Sequence, residues 1–252
     1  MQIDLSGKTA LVTGGNTGIG RALALELARN GADVAVTYFS NAGARTTKEI
    51  AELGRRTFSV KMDGTRSAEV NRAVAQVAEA LGGRIDILVN NAGHLVGRVP
   101  VVEMDDEHWH RVLDVNLSSA FYCTRAVLPR MHGGWGRIVI MSSLAAHNGG
   151  GPGTVAYGAA KAGLLGFTRG LSKEVAQQGI TVNAVAPGLI LETPFHDTFN
   201  TDEGKQKAIA SIPLGRGGTP DDVAGAVLYL VSGLAAFVTG EVIEINGGNY
   251  FV

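Results

Sequence analysis

The chain has one cysteine, Cys123, seven prolines and only 6% aromatic residues in a length of 252. One cysteine cannot close an intrachain disulfide, so the core must hold the fold and nothing points to an oxidising compartment. Charge is scarce too. Asp, Glu, Lys and Arg make up 18% of the residues and sum to a net charge of −1, which removes the main electrostatic attraction to nucleic acid or an anionic membrane. No apolar run approaches the roughly 18 residues of a membrane span. The opening MQIDLSGKTALVTGG lacks a basic segment followed by an apolar one, so a cytoplasmic location is expected. The six histidines are scattered without zinc-site spacing, and no catalytic metal is expected. What is abundant is glycine, with 35 residues, about twice the usual share of roughly 7%. Irregular glycine spacing and 45% hydrophobic residues exclude collagen-like and disordered chains.

Short β-branched runs alternate with longer helical stretches. Candidate strands are Thr9–Thr13, Val34–Tyr38, Arg56–Lys61, Ile85–Asn90, Arg137–Ser142, Thr181–Val185 and Glu241–Ile245. Most are continuously apolar, as parallel strands covered on both faces are. Ile19, Leu23 and Leu27 recur at helical spacing within Ile19–Asn30, and Gly31 is placed to stop that helix. The alternation predicts an α/β fold: one Rossmann-like domain over residues 1–252, a doubly wound parallel sheet of about seven strands with helices on both faces. Leu189–Pro213 is the least regular stretch, either a lid over a site or a long surface excursion, and long loops in compact domains favour the lid.

The first strand runs into Thr13-Gly14-Gly15-Asn16-Thr17-Gly18-Ile19-Gly20, where a helix begins. Glycines there let the backbone turn tightly and approach a pyrophosphate, whose oxygens accept from free N–H groups at the helix N-terminus. The spacing is G-x-x-x-G-x-G, not the G-x-G-x-x-G of larger dinucleotide enzymes. Further along stand NNAG at 90–93, Ser143, Tyr157-x-x-x-Lys161 and VAPG at 185–188. In this order, from Gly7 to Gly248, the motifs resemble the single-domain branch of the short-chain dehydrogenase/reductase family.

The resemblance implies a hydride-transferring enzyme with a nicotinamide cofactor. Its cofactor site would comprise Gly14, Asn16, Thr17, Gly18, Ile19 and Gly20, then Tyr38 and Ser40. Asp63 resembles an adenine-contacting aspartate, with Gly64 after it, and Asn90, Ala92 and Gly93 resemble the ribose-side wall. Pro187, Gly188, Ile190 and Thr193 would face the nicotinamide, although the segment after Gly188 is one residue longer than the family's PG-x-I-x-T. NAD enzymes usually carry a carboxylate about 20 residues past the glycines. Here Tyr38, Phe39, Ser40 and Asn41 stand there, while Asp33 lies at the wrong end of its strand. NADP(H) is therefore favoured, with Ser40, Asn41 and Arg45 as phosphate partners and NAD(H) as the alternative.

Tyr157 and Lys161 are four apart on a helical segment, so they share one face. A phenol titrates near 10, and a nearby ammonium favours its ionised form, which suits the pair to proton transfer. By resemblance, Ser143 holds the substrate carbonyl and Asn116 interrupts a helix to hold a water beside the lysine. Ser142 is the competitor, but the family's serine is usually the second of such a pair; Ser143 lies 14 residues before Tyr157 where relatives use about 13, which a one-residue insertion in His147–Gly153 would reconcile. His94 and His147 stand where they could touch substrate. The expected activity is reduction of a small carbonyl compound or oxidation of the alcohol, on a ketone, 3-oxoacyl or keto-sugar substrate. Relatives imply a homotetramer packed through the helices bearing Asn116 and Tyr157. The alternative is a catalytically silent dinucleotide-binding regulator, against which the presence of Ser143, Tyr157 and Lys161 argues.

Overall fold

The computed structural model describes residues 3–40, 44–199 and 201–252. Seven strands form one parallel sheet among the described residues: β1 Thr9–Val12, β2 Asp33–Tyr38, β3 Thr57–Lys61, β4 Ile87–Asn90, β5 Gly136–Met141, β6 Ile180–Pro187 and β7 Val242–Ile245. Their order is β3-β2-β1-β4-β5-β6-β7, with register pairs such as Val12↔Val36 and Val12↔Val89. The order reverses beside β1, and open α/β sheets bind ligands at such a switch point, beyond the carboxyl ends of the strands. The helices are α1 Gly18–Arg29, α2 Ala44–Glu52, α3 Ser67–Leu81, α4 Asp106–Leu113, α5 Ser119–Val127, α6 Ala145–Asn148, α7 Val155–Val175, α8 Pro194–Phe199, α9 Asp202–Ala210 and α10 Pro220–Val231.

Alternate strand residues feed two cores. Ala10, Val12, Val34, Val36, Ile87 and Val89 pack with Leu23 and Leu27 of α1 and Val223, Val227 and Leu230 of α10. Leu11, Ala35, Leu88, Ile138 and Ile140 pack on the other face with Val70, Val74 and Val77 of α3, Val127 of α5 and Leu164 and Leu171 of α7. Both faces are covered, which is why the strands read as unbroken apolar runs. Helix α1 stops as expected. Gly31 takes φ +100, its N–H donates to the Ala28 carbonyl and that of Ala32 to the Leu27 carbonyl, closing a Schellman turn.

The structure corrects the excursion after β6. Residues 189–213 are not irregular throughout, because α8 and α9 lie within them. Helix α9 buries none of its residues, so its sequence carries no apolar stripe by which to recognise it.

Candidate active site

The loop between β1 and α1 is tied to its neighbours by side chains as well as glycines. Thr13 Oγ1 accepts from the backbone N–H groups of Asn91 and Ala92, each at 3.0 Å. Asn91 Nδ2 donates back to the Thr13 carbonyl at 2.9 Å and the Gly14 carbonyl at 3.2 Å. Thr37 of β2 secures the other side, its hydroxyl accepting from Gly14 N–H at 3.2 Å. A Cβ on Gly20 would sit 2.2 Å from the Gly14 carbonyl oxygen, and Gly14 and Gly18 hold φ +63 and +50. Thr17, at the N-cap of α1, makes no side-chain cap bond, so the first N–H groups of the helix are left for an anion. Asn16 accepts at its carbonyl from the Thr46 hydroxyl at 3.4 Å, and Ile19 packs against the core.

At the end of β2, Tyr38 is half-buried while Phe39 and Ser40 are exposed; Asn41 lies outside the described residues. Asp33 is at the opposite end of the strand, where its carboxylate accepts from Arg56 Nε at 2.8 Å. Arg45 is paired with Glu49, Nε to Oε1 at 3.0 Å. Asp63 closes its own turn, Oδ1 accepting from the N–H and hydroxyl of Thr65 at 3.0 and 2.7 Å. Gly64 faces Ser119 of α5, whose Cβ would lie 3.2 Å from a Cβ on the glycine. Asn90 turns its amide toward α5, Nδ2 donating to Thr124 Oγ1 at 3.0 Å, while its buried Oδ1 has no hydrogen-bond partner among the described residues.

Tyr157 and Lys161 stand one turn apart in α7, with Lys161 Nζ 5.6 Å from the centre of the phenol ring. That nitrogen donates to the Met141 carbonyl at 2.8 Å. Ser142 and Ser143 have different partners. Ser142 Oγ donates to the Lys161 carbonyl at 2.9 Å and is buried, whereas Ser143 is hydrogen-bonded to Tyr157. Asn116 sits in a π-helical turn, Asp114–Ser118, between α4 and α5. Its Nδ2 donates to the His94 carbonyl at 2.7 Å and the Val112 carbonyl at 2.9 Å, and its Oδ1 accepts from His94 N–H at 3.1 Å. A Cβ on Gly93 would fall 2.9 Å from Asn116 Oδ1 and 3.1 Å from Lys161 Nζ. Gly93, Asn116 and Lys161 therefore converge, and only a glycine leaves them room.

From the β6 end, Gly188 N–H donates to the Ile245 carbonyl at 2.9 Å, one step past Pro187. Ile190 is buried, and the Thr193 hydroxyl donates to its carbonyl at 3.0 Å. Thr193 lies beside the glycine loop: its Cβ is 3.5 Å, and Pro194 Cδ 3.4 Å, from where a Cβ on Gly18 would stand. Two contributors escaped the sequence reading. Asn91 ties the loop through its amide, and Gly15 lets the loop lie against β2, since a Cβ there would fall 2.5 Å from Val36 Cγ1. Their signal was the placement of NNAG and the glycine run at the ends of adjacent strands.

A family profile described as enoyl-(acyl carrier protein) reductase matches residues 14–249. The 3-oxoacyl-[acyl-carrier-protein] reductase of Aquifex aeolicus is 44% identical, covering 99% of this chain and 100% of its own. The chain belongs to the short-chain dehydrogenase/reductase family. Solved structures share its fold, and two of them bear on the cofactor. A blue fluorescent protein from a metagenomic library, in complex with NADPH, superposes with a TM-score of 0.90 at 36% identity, covering 98% of this chain and 100% of that one. The NADH-dependent reductase A1-R′, responsible for alginate metabolism, gives 0.89 at 33% identity over 98% and 99%. This short-chain dehydrogenase/reductase is an NAD(P)-dependent oxidoreductase acting on a ketone or secondary alcohol.

A nicotinamide dinucleotide fits the residues of this oxidoreductase. The crowded Gly14–Gly20 turn leaves no side chain over the uncapped start of α1, and Gly93 opens the wall in front of Lys161. The electrostatics differ from the expectation that Lys161 lowers the phenol. Burial pushes Tyr157 up to about 12, outweighing the Ser143 hydrogen bond that pulls it down. Burial also pushes Lys161 down to about 8, because a desolvated ammonium is disfavoured. The phenol is thus protonated at neutral pH, as a proton donor must be. Among the described residues no group of three or more His, Cys, Asp or Glu is placed to hold a metal, and no helix is long and apolar enough to cross a membrane.

Proposed function

We propose that the protein reduces the ketone of a 3-oxoacyl thioester with NADPH, Tyr157 giving the proton. The observation that carries this reading is the junction of Ser143, Tyr157 and Lys161 at the carboxyl edge of β5. When bound, the nicotinamide supplies the hydride. Tyr157 passes its hydroxyl proton to the carbonyl oxygen as charge builds there, and Ser143 donates a hydrogen bond to the same oxygen. Lys161 holds the nicotinamide ribose and keeps a positive charge beneath the phenol. Asn116, fixed by three hydrogen bonds, holds the water that links Lys161 to solvent. The two acyl-carrier names divide the chemistry between a carbonyl and a carbon–carbon double bond. Ser143 and Tyr157 together present hydrogen-bond donors to an oxygen, which favours the carbonyl.

The preference for NADPH rests on the end of β2, where no carboxylate stands to repel a 2′-phosphate and Asp33 is held by Arg56 at the far end. The fold alone does not choose, since one neighbour holds NADPH and another is NADH-dependent. Ser40 and Arg45 are the phosphate partners, Arg45 exchanging part of its bond to Glu49. Residues 189–213 form the lid. Helix α8 meets the phosphate loop at Pro194 and the loop after β4 at Phe199, whose ring centre is 5.1 Å from that of His94. The active form is a cytoplasmic homotetramer packed through α5 and α7, consistent with exposed Phe121 and Val155 on those helices.

Cofactor-oxidation assays on acetoacetyl, crotonyl and keto-sugar substrates, each with NADPH and NADH, test the reading. Acetoacetyl thioester with NADPH should give the highest kcat/KM. A faster crotonyl reaction would move the chemistry to the double bond, and a preference for NADH would overturn the cofactor assignment.

A further inference from the structure

His94 follows the NNAG motif and takes no part in the proton transfer described above. Its backbone is clamped on both sides by Asn116, N–H to Oδ1 at 3.1 Å and carbonyl from Nδ2 at 2.7 Å. Its imidazole makes two further contacts that serve different ends. Nδ1 accepts the N–H of Val96 at 2.9 Å, and the ring meets that of Phe199 in an edge-to-face arrangement, centres 5.1 Å apart at 71°. Val96 stands at φ +67, a conformation that a β-branched residue rarely adopts. Among the described residues, the other non-glycine residue in that region is Glu192, at φ +59, immediately before Thr193 and the start of α8. Backbone strain of this kind concentrates at ligand clamps and switch segments. Here it brackets one contact, with one strained residue behind His94 and the other at the root of the helix that His94 touches.

We propose that His94 is a positioning residue that sets the closed place of α8 over the substrate. Helix α8 is six residues long and begins beside the glycine loop, where Pro194 neighbours Gly18. Its last residue, Phe199, rests on the His94 ring. The Nδ1 bond fixes the rotation of the ring through the Val96 turn, and the ring so held meets Phe199 at the end of the helix. Because Nδ1 accepts, the neutral ring carries its proton on Nε2. Burial, with the Arg111 guanidinium of α4, holds His94 below its usual value and keeps the ring neutral. The role lies in substrate retention, so it appears in KM and not in kcat.

The inference rests on the reading of α8 as a lid, and the experiment separates the two. Kinetic constants for acetoacetyl thioester with NADPH are measured for wild type, H94N, H94F, F199A and H94N/F199A, together with the Kd of NADPH and thermal melting. Asparagine at 94 keeps an acceptor for Val96 N–H but removes the ring. H94N should raise KM about three- to tenfold, the worth of one edge-to-face aromatic pair, with kcat, cofactor Kd and Tm little changed. H94F, which restores a ring but not the acceptor for Val96 N–H, should recover only part of that loss. The double variant should be no worse than F199A alone, because both changes delete the same contact. A wild-type KM in H94N, or additive losses in the double variant, would overturn the role of His94 while leaving the lid in place. A wild-type KM in F199A would overturn the lid reading itself.

Discussion

Lys161 is a cation with 3% of its surface exposed, and its described hydrogen-bond acceptor is the Met141 carbonyl, not a carboxylate. Burial therefore brings its titration down to about 8, within reach of an ordinary assay. Below that value the ammonium is present, and above it the charge is lost while Tyr157, pushed up to about 12, still keeps its proton. The kcat for ketone reduction should be level through neutral pH and fall above about 8; a profile level to pH 10 would contradict the role of Lys161. That Tyr157 and Lys161 stand side by side was legible from spacing, because four residues along a helix bring side chains together, while the glycine loop and Ser143 were what set this pair apart from a surface one. Its place as the second of the pair favours Ser143 over Ser142, and the strand end gives the two hydroxyls different partners, the Lys161 carbonyl for Ser142 and Tyr157 for Ser143. Asn91 was hidden because its partner Thr13 is 78 residues away, and only the β1–β4 register brings the two together.

Helices were legible where they bury a face and obscure where they do not. Leu23 and Leu27 mark α1 because both are buried against the sheet, whereas α9 has only its cap to announce it, the Thr201 hydroxyl accepting from Gly204 N–H. The π-helical turn at Asn116 has no propensity signature of its own; it arises where that side chain bonds to the Val112 and His94 carbonyls. Helix α10, which packs on α1, is held by a capping box between Thr219 and Asp222, and Asp222 also accepts from both terminal nitrogens of Arg216 at 2.7 and 2.9 Å. The Arg216 bonds first, then the Thr219 N–H, hold the Asp222 carboxyl well below the usual range. A lowered folded value stabilises above the unfolded pKa and stops doing so as pH falls through the folded one. Asp222→Asn should therefore cost about 1 kcal/mol at neutral pH, the scale of one helix cap, and the gap from wild type should narrow below about pH 4. Denaturant melts at the two pH values check this; an equal gap at both would contradict it.

At the scale of the whole molecule, the class of the sheet followed from apolar strands alternating with helices, but the strand order did not. Alternation fixes what is parallel and covered, while the β3-β2-β1-β4-β5-β6-β7 order depends on which side each crossover takes. That order gathers the glycine loop, NNAG, Ser143 and Pro187 along one edge of the sheet. The excess of glycine is partly explained there, since Gly14, Gly18, Gly20 and Gly93 all stand where a side chain would collide or strain the chain. The outer faces of α5 and α7 carry exposed Phe121 and Val155, and light scattering should return the mass of four chains, each 26.2 kDa; a monomer mass would contradict the packing. The central claim is that Tyr157 gives the proton, and Tyr157→Phe tests it with the change of a single hydroxyl. The account predicts NADPH binding close to wild type and a kcat for ketone reduction lower by about two to four orders of magnitude, the usual worth of general acid catalysis. Near-wild-type turnover by the phenylalanine variant would contradict it.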